Sequence, residues 1–239
     1  MYQDETSICV MCPTRDEPES LQKIYATMLK TSTDAKMVAF VDSDQRDLYR
    51  SGLAVPFTLA RETKPGTNEL TFENPGERLI VHIGARHGPV ASCNTIVRVY
   101  GFKAYGMVPD DCAFLTPGWD RFLMEEIQKF PKHIAIIAAA HNGGEYLNFG
   151  WVSRRWIDTV GWYFAPSQFH HCADSVLEIL GECSNSISYA THEQFAMHHE
   201  LRHAFNRDRY LEDCQSFLVW CVGERRALVK RLREVILEK

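Results

Sequence analysis

The chain has 239 residues, 45% of them hydrophobic and 24% charged, a globular composition long enough for one large domain or two small ones. A chain of this size buries roughly 70–75% of its extended surface on folding, so its core needs neither metal nor disulfides. Lysine and arginine number 26 against 31 acids, a net charge of -5, which excludes a generally basic nucleic-acid coat and leaves only local basic patches open.

Residues 8–14, ICVMCPT, form an apolar run closed by Pro-Thr and predict a buried strand. SLQKIYATMLKTST (20–33) sets Leu21, Ile24, Tyr25, Met28 and Leu29 on one helical face. KMVAFVDSD (36–44) predicts a second buried strand that ends in acids, and RLIVHIG (78–84) a third. GPVASCNTIVRVYG (88–101) suggests a helix closed by Gly101. KAYGMVPDD (103–111) predicts a fourth strand, again ending in acids, and GWDRFLMEEIQKF (118–130) an amphipathic helix. HIAIIAAAH (133–141) predicts another core strand, and ADSVLEILGE (173–182) a helix. Between them, 142–172 is rich in Gly, Trp, Tyr and Phe and is expected to form loops and short elements around a pocket. The tail, 217–239, is expected to be an amphipathic helix with a basic side. Residues 223–239 hold six Lys/Arg against three Glu. A packed helix with a solvated face is the first expectation there, and docking to a membrane surface, a partner or nucleic acid is the alternative.

Alternating strands and helices imply an α/β fold with a mostly parallel sheet. No linker interrupts the chain, so 1–239 is expected to be a single domain. About 1–125 would form a nucleotide-type half and about 126–239 a substrate-shaping half. In such sheets ligands bind beyond the carboxyl ends of the strands. Three of the predicted strands end in polar groups: Thr14-Arg15-Asp16-Glu17, Asp42-Ser43-Asp44 and Asp110-Asp111. Together they predict an acid-rich cleft on one edge. Adjacent carboxylates after a strand suit a hard divalent cation that completes its shell with phosphate and water.

The eight cysteines form no framework: Cys9-x-x-Cys12 has no second pair at zinc-site spacing. The first strand is expected to bury Cys9 and turn Cys12 toward the pocket rim. The first residues do not read as a secretory signal, and the longest apolar run, IAIIAAA at 134–140, is too short to cross a bilayer. Free thiols in a reducing cytoplasm are therefore expected. Trp119, Trp151, Trp156 and Trp162 are expected mostly in the core, with one or two beside Gly143-Gly144 able to stack on a sugar or base. His170-His171-Cys172 reads as pocket lining. His199-Glu200-Leu201-Arg202-His203 matches H-E-x-x-H, which on a helix would place two zinc ligands and a general base together. However, Met197-His198-His199 reads as the end of a strand.

In order and spacing, five segments resemble GT-A glycosyltransferases, particularly the large family 2. SICVMCPTRDE (7–17) resembles the first strand and loop of that family, and 36–44 its second strand, whose terminal acid meets the nucleotide base. GARHGPVASCNT (84–95) resembles the segment leading to the nucleotide-sugar. VPDDCAFLTPGWDRFL (108–123) resembles the metal-binding region and the helix start after it. The segment 149–180 resembles the acceptor side, where an acid opening a helix serves as base. The likeness covers roughly 1–210. It departs at two points: Pro-Asp-Asp stands for Asp-x-Asp, and Ala-Asp for the usual Glu-Asp.

The resemblance implies a metal-dependent hexosyltransferase that uses Mn2+ or Mg2+ and a nucleotide-diphosphate sugar, UDP-linked by preference. Thr14, Arg15 and Asp42 would hold base and ribose, Arg86 would offset the pyrophosphate, and Asn94 would line the pocket. Asp111, helped by Asp110, would hold the cation, with His199 completing its shell. Asp174 would deprotonate the acceptor hydroxyl for attack with inversion. The acceptor stays open among a saccharide, a protein and a modified DNA base, and a homo-oligomer is compatible with the sequence. The alternatives are a zinc metallohydrolase built on His199-Glu200-x-x-His203, a sugar nucleotidyltransferase and an inactive binding module.

Overall fold

Ile8–Thr14 and Ala35–Asp42 are buried at nearly every position, because helices cover both faces of the sheet they form. The computed structural model describes residues 2–3, 8–53, 70–73, 78–141, 149–167, 172–200 and 207–238. The chain runs β1 (Tyr2–Gln3), β2 (Ile8–Thr14), α1 (Pro18–Thr31), β3 (Ala35–Asp42), α2 (Arg46–Gly52), β4 (Leu70–Glu73) and β5 (Leu79–Gly84). It continues through α3 (Pro89–Val99), β6 (Tyr100–Gly101), β7 (Ala104–Met107), β8 (Cys112–Phe114), α4 (Trp119–Gln128), β9 (Ile136–Ala138) and β10 (Ala140–His141). The remainder is β11 (Gly150–Ser153), α5 (Arg154–Val160), α6 (Ala173–Ser184), β12 (Ile187–Tyr189), β13 (Ala196–His199), α7 (Arg207–Val222) and α8 (Arg225–Leu237).

Among the described residues the main sheet has eight strands in the order β12-β9-β11-β7-β2-β3-β5-β4. Only β11 and β4 run antiparallel to their neighbours. Strands β7, β2 and β3 are adjacent and parallel, so their carboxyl ends open on one edge. The period of two then splits each strand between two cores. Ile8, Val10 and Cys12 face the side of α1 and α4, whereas Cys9 and Met11 face that of α3, α5 and α6. Cys12 is thus wholly buried, which corrects its expected place at the pocket rim. Asp120, at the start of α4, clamps the entry to β3 by accepting from Thr33 N (2.6 Å), Thr33 Oγ1 (2.9 Å) and Asp34 N (2.8 Å).

Three boundaries differ from expectation. The run 133–141 is divided between β9 in the main sheet and β10 in a smaller sheet of order β10-β13-β8. Within the expected loop region, β11 inserts antiparallel between β7 and β9, and Ser153 caps α5 by accepting from Trp156 N. The tail is two helices separated at Gly223-Glu224. No described helix is long and apolar enough to cross a membrane.

Trp119, Trp151 and Trp156 are fully buried, as expected of core residues. Trp151 packs on Trp119 and Phe195 and lies across Gly106, its partner on β7. A Cβ at position 106 would sit 2.3 Å from the indole. Gly106→Ala should therefore cost about 3 kcal/mol through overpacking. In thermal unfolding that is a fall in Tm of roughly 6–12 °C, and an unchanged Tm would show that the indole can yield.

Candidate active site

The acids expected at the strand ends come together, and their partners explain how. Thr14, the last residue of β2, donates its hydroxyl to Asp110 Oδ2. The Thr14 proton is spent on the carboxylate, so Tyr49 on α2 donates to Thr14 Oγ1 at 2.6 Å. Glu17 N in turn donates to the Tyr49 oxygen at 3.3 Å. This relay ties the first loop, α2 and the turn after β7 into one polar cluster. Tyr49 was not singled out in the sequence: at one position on a short helix, an aromatic residue reads as core. Burial pushes its phenol up to about 12, which keeps it a donor.

Beside this cluster Arg15 donates to Asp42 Oδ2 at 2.7 Å and forms a two-pronged pair with Asp44 at 2.8 and 2.7 Å. The guanidinium holds the Asp44 carboxyl below its usual range. Arg86 is mostly exposed and its Nε lies 4.0 Å from Asp42 Oδ2. Thr14, Arg15, Asp42, Arg86 and Asp110 thus share one edge. Asn94 is used differently: its amide donates to Phe164 O at 2.8 Å and accepts from Tyr163 N and Phe164 N at 2.9 and 3.2 Å. It pins α3 to the segment that leads toward Asp174.

Asp111 meets His199 across the small sheet. Strands β8 and β13 pair antiparallel with Cys112 opposite His199, and Glu200 N donates to Asp111 O at 2.9 Å. This register brings His199 Nε2 to 3.2 Å from Asp111 Oδ1. Asp111, Cys112 and His199 each offer a donor atom, all within 4.8 Å of one another. Cys112 was not foreseen as a member. Burial, with Asp111 and Asp110 beside it, pushes its thiol well above the usual range. A hard or borderline cation would draw first on the carboxylate and the imidazole. This set fits a divalent cation that accepts oxygen and nitrogen, Mn2+ more readily than Mg2+, with the remaining positions left for phosphate and water.

His199 ends a strand. A residue in a strand cannot share a helical face with one four positions on, so His199 does not stand in the helical two-histidine zinc geometry. His203, His170-His171 and Gly143-Gly144 lie outside the described residues.

Asp174 stands in the first turn of α6, after Cys172, which adopts a left-handed backbone. A helix N-terminus favours the ionised acid. Burial outweighs it: desolvation, with a smaller contribution from Glu178, pushes the carboxyl up to about 8. Its charge reaches Cys93 and Tyr163. The Tyr163 hydroxyl accepts from Met107 N at 2.8 Å, at the end of β7, three residues before Asp110. Cys12, below the cluster, feels Asp110 most, then Cys112, Cys93 and Asp111.

A groove of about 1030 Å³ opens alongside, lined by 138–141, by Glu178 and Glu182 of α6, and by 189–193. The Phe149 ring meets His141 of this groove edge-on at 6.2 Å and His199 at 5.9 Å. The groove thus ends one aromatic ring from the Asp111–His199 pair.

No family model matches this chain, and no curated protein matches it. Solved structures do. S. aureus TarS aligns over 95% of this chain and 42% of its own, at 12% identity and a TM-score of 0.58. TarS 1-349 in complex with UDP aligns over 95% and 70%, at 13% identity and a TM-score of 0.57. The mannosyltransferase PcManGT from Pyrobaculum calidifontis, in complex with GDP-Man and Mn2+, aligns over 96% and 73%, at 10% identity and a TM-score of 0.55. This chain therefore spans less than half the length of the longer TarS chain. At such identities the likeness is one of architecture: the chain has the GT-A glycosyltransferase fold, an α/β domain with a large, mostly parallel central sheet flanked by helices.

Proposed function

We propose that this protein is a metal-dependent glycosyltransferase that moves a sugar from a nucleotide-diphosphate donor to a hydroxyl acceptor with inversion. One observation carries the reading. On the carboxyl edge of a GT-A sheet, Asp111 and His199 come within 3.2 Å of each other in an arrangement that suits a cation, and the half-buried Asp174 at the start of α6 has its affinity for a proton raised toward neutrality. The structural neighbours were solved with UDP in one case and with GDP-Man and Mn2+ in another.

Asp42, held by Arg15, would receive the base and ribose, with Thr14 shaping the pocket floor and Asp110 fixed by Thr14. Arg86, mobile enough at 69% side-chain exposure to turn, would face the diphosphate. Asp111 and His199 would hold the cation, which supplies charge stabilisation to the departing diphosphate. Asp174 would take the acceptor's proton as its oxygen attacks the anomeric carbon. The acceptor would approach along the groove beside α6, and Asn94 would act as a positioning residue for the Tyr163–Phe164 wall. Eight free cysteines, four of them buried, suit a reducing cytoplasm.

The test is a panel of UDP- and GDP-sugars with and without manganese, followed by hydrolysis and thermal shift. Manganese-dependent stabilisation by one nucleotide, with slow hydrolysis of its sugar conjugate, is expected. No response to any nucleotide, together with tightly bound zinc in the purified protein, would overturn the reading.

A further inference from the structure

The last turns of α7 present an apolar surface to solvent. Leu218, Val219 and Val222 are 64%, 74% and 86% exposed, and Leu211, two turns earlier, is 47% exposed. Positions 211, 218 and 222 follow one helical face. The opposite face is anchored, with Trp220 and Asp213 buried and Phe217 stacked on Trp220 at 6.2 Å. The helix is thus fixed with this stripe outward, and several large aliphatic side chains gathered at one corner mark an interaction surface.

The corner continues into α8 through Gly223-Glu224. Between Arg225 and Leu237 the chain has five bases (Arg225, Arg226, Lys230, Arg231 and Arg233) and one acid, Glu234. A protein of net charge -5 has therefore segregated positive charge beside its most exposed apolar turn. Three occupants can be compared. A second copy of the chain would bring two such basic helices together, at a repulsive cost. Lys230 already pairs with Glu234 at 3.7 Å and Arg233 donates to Cys183 O, but a neutral apolar partner would leave the exposed Arg226 and Arg231 unanswered. An anionic lipid surface satisfies both features: the aliphatic side chains enter the headgroup–acyl boundary and the bases meet the headgroups.

We propose that the α7–α8 corner is a docking surface for anionic lipid membranes, on which the protein rests peripherally. Leu218, Val219 and Val222 form the inserting tip, and Arg226, Lys230 and Arg231 the electrostatic collar. Asp208 and Glu212 flank Leu211, so the N-terminal half of α7 stays in water. This proposal does not depend on the catalytic reading.

Co-sedimentation of the full chain with vesicles tests it. Binding is expected to vesicles of phosphatidylglycerol mixed with phosphatidylcholine and not to phosphatidylcholine alone, with release at about 1 M salt. Leu218→Glu with Val222→Glu should lower partitioning about ten-fold or more at unchanged Tm, since both side chains are exposed in the folded protein. Arg226→Gln and Arg231→Gln should each lower it roughly five-fold. Absence of binding to the anionic vesicles would overturn the proposal, as would equal binding by the Leu218→Glu/Val222→Glu protein. So would a solution dimer that the same variant dissociates in a protein that ignores vesicles, which would make a second copy the occupant.

Discussion

Asp111→Asn should abolish the manganese-dependent stabilisation by nucleotide while leaving the unliganded protein close to its original Tm. Asparagine keeps the shape of the side chain of a residue that is only 6% exposed, and it removes the charge that a cation needs. With nucleotide and manganese at about 100 times Kd, binding stabilises the original protein by about 2.7 kcal/mol. For a chain of this size that is a rise in Tm of roughly 5–10 °C. A site weakened a hundred-fold would retain about 0.4 kcal/mol, a shift of roughly 1 °C. The readout is a thermal shift with nucleotide alone, manganese alone and both together. His199→Gln should move the same difference in the same direction, because the two side chains are 3.2 Å apart and share the site. A variant at either position that keeps the full manganese-dependent shift would remove that residue from the metal site.

The sequence made some of this site legible and hid the rest, for physical reasons. Strands β2, β3 and β7 run straight from apolar residues into Thr14, Asp42 and Asp110-Asp111. A parallel sheet places such ends on one edge, so the acids could be grouped before any contact was known. His199 could be placed only by family likeness, because the β8–β13 pairing joins residues 87 apart in sequence, Cys112 and His199. Local pattern has no means of expressing that register. Tyr49 and Cys112 were missed because a buried aromatic and a buried thiol read as packing; only their neighbours, Thr14 and Asp111, give them polar roles. Strand β11 was hidden in a stretch rich in glycine and aromatics, because its defining partner is the absent side chain of Gly106, on which Trp151 lies. Cys12 was set on the wrong side for a related reason: a strand buried on both faces offers no polar alternation from which to read its facing.

Asp174→Asn should separate catalysis from binding and remove a loss of stability with rising pH. In the proposed role of general base, Asp174 must be ionised, and its carboxyl is raised from 3.8 to about 8 by burial and Glu178. In the original protein kcat/KM should therefore climb about ten-fold per pH unit below pH 8 and level off above it. The asparagine protein should lose on the order of 100- to 10,000-fold in kcat, show no such climb, and keep its manganese-dependent nucleotide shift. An equal loss of nucleotide binding in the Asp174→Asn and Asp111→Asn proteins would contradict the division of roles. The same group acts on folding. The unfolded chain ionises Asp174 near 3.8 and the folded chain only near 8, so the unfolded state gives up its proton first. The raised carboxyl thus costs nothing below about pH 4, costs progressively more as pH rises toward 8, and reaches its full cost above that. Asp174→Asn should therefore unfold at the same temperature as the original protein near pH 4 and at a higher one near pH 9. Because the carboxylate keeps part of its exposure to water, the gain should be about 1–3 kcal/mol, or several degrees. An acid placed only to cap α6 would give the opposite sign, since removing an ionised cap weakens the helix at every pH at which the cap is charged. Unfolding measured across pH therefore distinguishes a carboxyl raised by burial from an ionised helix cap, independently of which sugar or acceptor the protein uses.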